Sequence, residues 1–593
     1  MRTLLALSVL ASAAGCAAAA VPRPFTSDGC SLFPDGPPAR RECCLRHDRS
    51  YWLGGTRAER RAADGDFRDC VAAAGEPAAA RWMYRGSRAG GTPYLPTPFR
   101  WGYGWPFPRG NAPAALARAG DSAAPARAFE SVVHPSTALP VNPGPTTPDL
   151  VLPGEPPTRK NYLIPAIEIA VFQIALNVFD RRILGEDVYG SNLATAWDHL
   201  RRGAWVVDED QFRVNQIGHP YQGAIYHGSA RATGLNFWEG MLYSNVGSLV
   251  WEIAGERSRP SINDQVATGM GGPLLGEPLL RMANLVLEGS EEERPGRWRE
   301  FAAALLSPPT GLNRLLFDKR YTPVLKSRGA PRFGRIQAGG GGNSMVRDPR
   351  HAGIVGRNVA VADVSMAYGH PGKPGYAYLR PLDYFTLELS TLRMRRTHYA
   401  NIMTRGLLFG SGYESAGELH GIWGLYGSFD HLSPQVFRFS TTAVSLGTTL
   451  QWRLARNAVL QGSALGGIGY GTAGSIVPQG DERDYHYGAT PQALVALRLI
   501  LARRVMLDLA GRGYHISDIG ANKAPGEEDI GRLDASVAVR VFGRHAVSLN
   551  YLVTDRRASY AAPLLASRHQ TVETIGVAYN LLTDLRFGVV EDD

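Results

Sequence analysis

After about residue 350, apolar and polar side chains alternate along the chain with a period of two. In one such segment Leu533 and Val537 belong to one side, whereas Asp534 and Ser536 belong to the other. Segments of about ten residues with one apolar and one small or polar side are typical of transmembrane β-strands. We count roughly ten to twelve of them, separated by short breaks, and predict an antiparallel β-barrel. A soluble sandwich or barrel with its apolar side inward is the alternative interpretation.

Upstream of this region, apolar residues recur with a helical period. Residues 164–179 are strongly apolar, but Glu168, Gln173 and Asn177 interrupt them. This pattern favours a helix that is buried or lies against a membrane over one that spans it. The region as a whole, residues 161–330, is therefore predicted to be a helical domain.

The amino terminus has the features of an export signal. Residues 4–14 form an apolar run behind Arg2, which is long enough for the core of a signal peptide and too short for a membrane span. Small residues before Cys16 resemble a lipoprotein signal, in which Cys16 would be lipidated. The alanines that follow would equally allow cleavage before Val21. Both interpretations predict export.

Pattern and composition together divide the chain into five parts. Residues 111–160 are rich in Pro, Ala, Thr and Ser without aliphatic periodicity, which is typical of an extended linker. The predicted parts are a signal peptide (1–20), a cysteine-containing first domain (21–110), the linker (111–160), the helical domain (161–330) and the barrel (350–593). The predicted fold class is thus multidomain α + β.

The composition is that of a globular protein, with 44% hydrophobic and 20% charged residues, and it excludes wholesale disorder. The net charge is +9, but the basic residues are mostly Arg, are scattered among acids and form no dense run. We therefore expect no nucleic-acid partner. Action on an anionic membrane surface would explain the positive charge equally well.

The cysteines are concentrated in the first domain. Four of the five lie close together there, namely Cys30, Cys43, Cys44 and Cys70, and the fifth is Cys16 in the signal region. An even number of cysteines in an oxidising compartment predicts two disulfides.

A predicted helix that begins near Cys43 carries much of the candidate chemistry. Cys43, His47 and Tyr51 share one face of it at positions i, i+4 and i+8, and Asp48 lies beside them. This places a histidine next to a carboxylate.

A second predicted helix, residues 56–71, follows and begins with a capping-box sequence. It carries Asp64 and Cys70. If Cys43 and Cys70 are joined, the two helices are held antiparallel and Asp64 is brought toward His47.

This arrangement resembles the secreted phospholipases A2, and more closely their small bacterial and fungal branch. The resemblance rests on the Asp-Gly-Cys-Ser loop of residues 28–31, on Cys-x-x-His-Asp-x-x-Tyr at residues 44–51, and on an Asp six residues before Cys70. It covers residues 21–110 of the chain and implies a small α-helical, disulfide-bonded phospholipase A2-like domain.

The resemblance implies calcium-dependent hydrolysis of the sn-2 ester of glycerophospholipids. His47 would be the general base that takes a proton from water. Asp64 would orient the imidazole and stabilise it once protonated, and Tyr51 would hydrogen-bond to the aspartates.

The resemblance also implies a Ca²⁺ site in this domain. Its ligands would be the side chains of Asp28 and Asp48 and a loop carbonyl such as that of Gly29. The cation would polarise the ester carbonyl and stabilise the oxyanion, since a hard cation prefers oxygen ligands.

The disulfides that we expect are Cys30–Cys44 and Cys43–Cys70. This pairing joins loop to helix and helix to helix without crossing the site, and it would hold the loop against Asp48. A bond between Cys30 and Cys70 would instead detach the loop and undo the calcium site.

The helical domain contains a dense patch of unusual polar residues, and it resembles an uncharacterised family of bacterial envelope proteins that join such a region to a carboxy-terminal barrel. That resemblance implies an architecture and no activity. His219 with Glu252 or Glu277 would form a metal or acid–base site, or these residues belong to a structural network.

In the barrel, His515 and Ser517 resemble, in spacing alone, the His-x-Ser pair of the outer-membrane phospholipase.

The sequence therefore predicts an exported protein of the bacterial cell envelope, in the outer membrane and periplasm. A phospholipase A2-like domain would be tethered by a linker to a periplasmic helical domain and an outer-membrane barrel. Its expected partners are the phospholipid membrane and the barrel-assembly machinery. In the alternative function, the barrel and helical domain are a transport, assembly or structural module, and the first domain is a degenerate lipid-binding accessory.

Overall fold

In the computed structural model the chain forms two compact units, residues 1–139 and 140–593. The described residues are 25, 27, 30, 37–94, 100–105, 160–185, 187–202, 205–208, 210–288, 295–317, 325–346, 357–394, 397–415, 418–434, 436–475, 483, 485–519, 526–561 and 567–590. The predicted signal peptide with Cys16, the loop residues Asp28 and Gly29, and most of the predicted linker lie outside them.

The described part of the first unit contains the helices α1 (Pro38–Leu53), α2 (Arg57–Ala73) and α3 (Pro77–Gly90). The capping box that the sequence predicts is present at the start of α2. The backbone N–H of Glu59 donates to Oγ1 of Thr56 at 3.2 Å, and the N–H of Thr56 donates to Oε2 of Glu59 at 2.7 Å. Such a reciprocal pair satisfies two backbone donors that a helix start otherwise leaves free.

Two disulfides tie the first unit together. Cys30 is bonded to Cys44, with 5.0 Å between their Cα atoms, and Cys43 is bonded to Cys70 at 5.8 Å, which joins α1 to α2. This is the pairing expected from the sequence. Four apolar side chains pack around the sulfur atoms: Phe67, Val71, Ala80 and Met83.

The helical part of the second unit precedes the barrel. Its α-helices are α4 (Leu163–Phe179), α5 (Leu193–Arg202), α6 (His219–Ala232), α7 (Phe237–Ala254), α8 (Ile262–Val266), α9 (Gly272–Leu287), α10 (Arg297–Leu306) and α11 (Pro308–Phe317). Short π-helical turns precede α6 and α9, at Val214–Gly218 and Ala267–Gly271. By length and composition, the stretch Leu163–Ile183 is apolar enough to cross a membrane.

The described residues after the helices form twelve strands. They are β1 (Arg332–Val346), β2 (Arg357–Tyr368), β3 (Phe385–Met394), β4 (Thr397–Ser415), β5 (Leu419–Leu432), β6 (Phe437–Ala455), β7 (Ala458–Ser475), β8 (Tyr485–Leu501), β9 (Val505–Ile516), β10 (Gly526–Phe542), β11 (His545–Tyr560) and β12 (Arg568–Leu582). Each strand is antiparallel to the next, and β1 pairs with β12, so that the barrel is closed. The predicted antiparallel barrel is confirmed.

The barrel begins earlier than the boundary at residue 350 that the sequence indicates. β1 starts at Arg332 and contains the run of glycines at residues 339–342. Because glycine has no side chain, this strand lacks the alternation by which the other strands are recognised. The barrel nonetheless needs β1 in order to close, since β1 pairs with both β2 and β12.

Side chains of the barrel alternate between an apolar outer wall and a polar interior. On β10, Leu533, Val537 and Val541 are exposed on the outside, whereas Asp534 and Ser536 line a cavity inside the barrel. The pleat of a strand forces this alternation. A soluble barrel with its apolar side inward, the alternative interpretation, is therefore wrong.

The helical region of the second unit packs against the outer wall from β3 to β8. Leu274 of α9 lies where a Cβ on Gly427 of β5 would be, so that only glycine allows this close approach. The ring of Trp238 stacks on Phe409 of β4, with 4.9 Å between the ring centroids. The outward-facing Phe429 is only 1% exposed as a result.

Candidate functional site

The first unit brings a histidine and an aspartate together between α1 and α2. Nε2 of His47 lies 3.0 Å from Oδ1 of Asp64. The two residues are 17 positions apart, and the disulfide Cys43–Cys70 holds their helices side by side. The imidazole also stacks on Phe67, with 4.2 Å between centroids, which restricts its rotation.

Asp64 is fully buried and is the centre of a hydrogen-bond network. Besides His47, its carboxylate accepts from the hydroxyl of Tyr51 at 2.7 Å and from Nη1 of Arg88 at 2.7 Å. Burial opposes ionisation of this carboxyl, but the hydrogen bonds from His47, Arg88 and Tyr51 outweigh it, so that its pKa lies below the usual value. Asp64 is therefore negatively charged at neutral pH.

Tyr51 is held in place from several sides. Its hydroxyl donates to Asp64 and accepts from Nε of Arg60 at 3.2 Å. Its ring meets the buried Trp101 edge-on, with 5.1 Å between centroids. Burial and the charge of Asp64 raise the pKa of the phenol, so that Tyr51 stays protonated as a donor.

Two arginines of this network, Arg60 and Arg88, were not among the predicted site residues. Arg60 lies one helical turn before Asp64, and an i, i+4 spacing of opposite charges was a signal that could have indicated it. Arg88 belongs to α3, 24 residues away from Asp64. Only the packing of the helices brings it there.

The structure describes one of the three predicted calcium ligands. Asp48 is 7% exposed, and one of its carboxylate oxygens accepts a hydrogen bond of 2.5 Å from the hydroxyl of Ser27. The Asp48 carboxylate is an oxygen donor, and in chemical type it fits a hard cation. The other predicted ligands, Asp28 and Gly29, lie outside the described residues, among which no group of three or more His, Cys, Asp or Glu could hold a metal ion.

The polar patch of the helical region forms two separate clusters. Nε2 of His219 lies 3.7 Å from a carboxylate oxygen of Asp264. Glu277 instead accepts from Nε2 of His227 at 3.0 Å and from Arg231. His219 and Glu277 are therefore not paired.

Glu252, the other predicted partner of His219, accepts a hydrogen bond from the backbone N–H of Ser261.

The two barrel residues that were singled out by their spacing, His515 and Ser517, are not paired with each other either. Nδ1 of His515 lies 2.8 Å from Asp529, whereas the hydroxyl of Ser517 donates to a backbone carbonyl.

The inside of the barrel contains a charged cavity of about 360 Å³. Asp508 forms an ion pair with Arg498 at 2.5 Å. Asp534 forms ion pairs with Arg532 at 2.7 Å and with Arg512 at 2.6 Å. These arginines outnumber the aspartates that they contact. Charged side chains at this position are typical of the polar interior of a transmembrane barrel.

Apolar side chains fill the barrel near both ends of its strands. One cluster lies where β1 and β9 begin and β12 ends, and the other lies where β9 ends and β6 begins. The first cluster contains Phe333, Met506, Leu582 and Phe587; the second contains Phe437, Phe439, Tyr514 and Ile516.

The segment after β12 folds back into the barrel. The side chain of Gln451 bonds to both the N–H and the carbonyl of Val590, at 3.0 and 2.7 Å. Nε2 of Gln461 donates to the carbonyl of Gly588 at 2.9 Å. Gln451 and Gln461 belong to β6 and β7, on the side of the barrel opposite β12, so that residues 583–590 cross its interior.

This architecture defines the class of the protein. A closed antiparallel barrel with an apolar outer wall is an outer-membrane-type β-barrel, because lipid tolerates only strands whose backbone groups are all paired. The protein is located in the bacterial outer membrane.

Comparison with known families identifies one region. Residues 204–309 match a family described as a domain of unknown function (DUF3943). The matched segment lies in the helical region, in agreement with the resemblance to an uncharacterised envelope family. No curated protein matches the chain.

Several solved structures align with part of the chain. An outer membrane channel from Pseudomonas putida F1 is 8% identical, and the alignment covers 43% of this chain and 95% of that one with a TM-score of 0.24. The translocator domain of the autotransporter NalP from Neisseria meningitidis is 12% identical, with coverages of 42% and 88% and a TM-score of 0.19. OccAB4 from Acinetobacter baumannii is 7% identical, with coverages of 43% and 99% and a TM-score of 0.14.

Proposed function

We propose that the first unit hydrolyses an ester bond of glycerophospholipids, and that the second unit anchors this activity in the outer membrane. The observation that carries the proposal is the 3.0 Å contact between His47 and the buried, ionised Asp64. A histidine oriented by a buried carboxylate is suited to general-base catalysis.

The chain's own residues supply the proton transfer. When Nε2–H of His47 donates to Asp64, the other ring nitrogen, Nδ1, is left to accept a proton from water. The resulting imidazolium is stabilised by the negative charge of Asp64. Tyr51 and Arg88 hold that carboxylate in place, so that the ring keeps its orientation during the reaction.

A calcium ion is part of this proposal. Asp48 would hold it together with Asp28 and the carbonyl of Gly29. Bound there, Ca²⁺ would polarise the ester carbonyl and stabilise the negative charge that develops on its oxygen.

The test uses the full chain reconstituted in vesicles that contain a glycerophospholipid labelled at the sn-2 acyl chain. We expect release of the labelled fatty acid in Ca²⁺ and its loss in EGTA. The variant His47→Gln should lose the release while keeping its barrel folded. Absence of release, or release that is the same in His47→Gln, would overturn the proposal.

A second candidate is that the barrel and helices are themselves the function, as a structural, assembly or transport module. The closed barrel supports it directly, because this architecture is sufficient for such a role without catalysis. In this case the first unit is a lipid-binding accessory. The apolar clusters near both ends of the strands, and residues 583–590, which cross the interior, favour a structural role over a permanently open pore.

Conductance of the purified chain in a planar bilayer separates these roles. A structural barrel should show no steady ion current, whereas a transport channel should show one.

The proposed partners are the phospholipid bilayer and the barrel-assembly machinery, since a barrel of twelve strands has to be inserted into the outer membrane. Depletion of that machinery should remove the folded protein from the outer membrane.

A further inference from the structure

The outer face of α4 is a continuous apolar surface. Ile167, Val171, Ile174 and Val178 recur at helical spacing and are between 48% and 65% exposed. The opposite face of α4 packs inward through Ile169 and other residues. A helix of a water-soluble domain has the reverse distribution, with its polar face outward.

The other outer helices share this character. On α7, Leu242 is 61% and Val246 is 49% exposed. On α10 and α11, Phe301 is 53%, Leu305 is 67% and Leu315 is 82% exposed. Exposed apolar surface that extends over several helices marks an interaction surface and is not an ordinary feature of a protein in water.

Polar side chains of the same helices point inward and are hydrogen-bonded there. Nε2 of Gln173 donates to the hydroxyl of Tyr226 at 3.0 Å and to a carbonyl of α7 at 2.7 Å. The hydroxyl of Ser244 donates to the carbonyl of Gly223 at 3.0 Å, which links α7 to α6. Polar residues that hydrogen-bond between helices, with small residues at the contacts, are typical of helices packed within a membrane.

A buried charge network lies in the same interior. Glu277 is fully buried and contacts His227, Arg231 and Arg281. Arg281 in turn contacts Asp383, next to the barrel wall, at 3.2 Å. Charged residues in lipid-embedded helices face the protein interior and pair with one another in this way.

The helices that carry this apolar surface adjoin the outer wall of the barrel, where Trp238 of α7 stacks on the half-exposed Phe409 of β4. α9 contacts β3, β4 and β5, and the hydroxyl of Thr404 on β4 donates to the carbonyl of Leu274 on α9 at 3.0 Å. The helices thus cover one side of the outer wall of the barrel. The 21 residues of Leu163–Ile183 rise by about 30 Å, close to the thickness of the hydrocarbon core of a bilayer.

We propose that the acyl chains of the bilayer cover the outer faces of α4, α7, α10 and α11. The helical region then lies in the outer membrane beside the barrel and is not a periplasmic domain. This inference concerns the second unit and does not depend on the function proposed for the first.

Spin labels test this arrangement in the full chain reconstituted in vesicles. Single cysteines replace the exposed residues in Val171→Cys and Val246→Cys. Val537→Cys on the outer wall of β10 is the lipid-facing control, and Arg503→Cys, in the exposed turn between β8 and β9, is the water-facing control. The collision rate of each label is measured with oxygen, which partitions into lipid, and with a water-soluble nickel chelate.

We expect the ratio of oxygen to nickel collisions at residues 171 and 246 to match that at residue 537. It should be at least several-fold higher than the ratio at residue 503. A ratio equal to that of residue 503 would place the helices in water and overturn the proposal. Low collision rates with both reagents would show that protein covers this face, from a partner or a second copy of the chain, and would overturn it as well.

Discussion

Nε2 of His47 lies 3.0 Å from Oδ1 of Asp64, and the two residues belong to helices that the disulfide Cys43–Cys70 joins. This contact defines which nitrogen of the imidazole is occupied and which remains for a proton. It also links the site to the disulfide, because a covalent bond between α1 and α2 limits how far the two helices can separate.

Replacement of the proposed base tests the chemistry directly. We expect His47→Gln to lower the rate of fatty-acid release by about 10²–10⁴-fold, the usual contribution of general-base catalysis. His515→Gln is the matched control, because that histidine is 39% exposed on the barrel and contacts Asp529. Equal rates for both variants in the vesicle assay would exclude His47 as the base.

Asp48 tests the calcium site separately from the base. Asp48→Asn should weaken Ca²⁺ binding and hydrolysis together, because the cation loses a charged oxygen ligand. Asp69→Asn is the control, since the Asp69 carboxylate is 66% exposed and pairs with Arg68. Isothermal titration with Ca²⁺ measures the binding. Unchanged affinity in Asp48→Asn would remove Asp48 from the proposed ligands.

Asp64 should make the stability of the first unit depend on acid. The pKa of Asp64 is lowered in the folded state. Its contribution to the free energy of unfolding is therefore fully present above the unfolded-state pKa, which is about 3.9. That contribution is lost as the pH falls through the lower pKa of the folded state. Asp64→Asn should lower the free energy of unfolding by about 1–3 kcal/mol at neutral pH and less in acid. Urea unfolding between pH 3 and 7, with the exposed Asp66→Asn as control, checks this; a pH-independent difference would contradict it.

The free-energy cost of placing a charged side chain on the outer wall of β10 should depend on its depth in the membrane. Val537 lies in the middle of the exposed apolar row and Val541 lies next to the end of the strand. Val537→Arg should cost about 2–4 kcal/mol, whereas Val541→Arg should cost about 0–1 kcal/mol, because the penalty falls toward the interface. Reversible unfolding in vesicles measures both. Equal costs would mean that no lipid covers this strand.

The segment that crosses the barrel should contribute to its stability. Phe587 is 0% exposed, whereas Phe542 at the end of β10 is 66% exposed. Phe587→Ala should cost about 3–5 kcal/mol through the cavity that it leaves, and Phe542→Ala should cost much less. The temperature at which the folded barrel loses its characteristic gel mobility reports the difference. A similar effect of the two variants would show that the segment is not packed in the interior.

Much of the candidate site follows from local spacing. His47 and Tyr51 lie four residues apart on one helix, and a helical face is determined by nearest neighbours along the chain. The position of Arg88 could not be predicted in this way, because α3 reaches Asp64 only through the packing of α2 against α3. The same holds for Glu277, whose partner is His227 and not His219.

The sequence by itself determined which face of each strand and helix is apolar, since side chains alternate with a period that the backbone imposes locally. It determined in this way that Val537 and Asp534 lie on opposite sides of their strand, and that residues 164–179 form an apolar helix. Only the tertiary structure decided that the helical region covers the outer wall from β3 to β8, that Gln451 binds Val590 across the barrel, and that β1 closes the sheet despite its glycines. These contacts join residues that are distant in the chain, and their free energy depends on the complementary shapes of surfaces that exist only after the elements have formed.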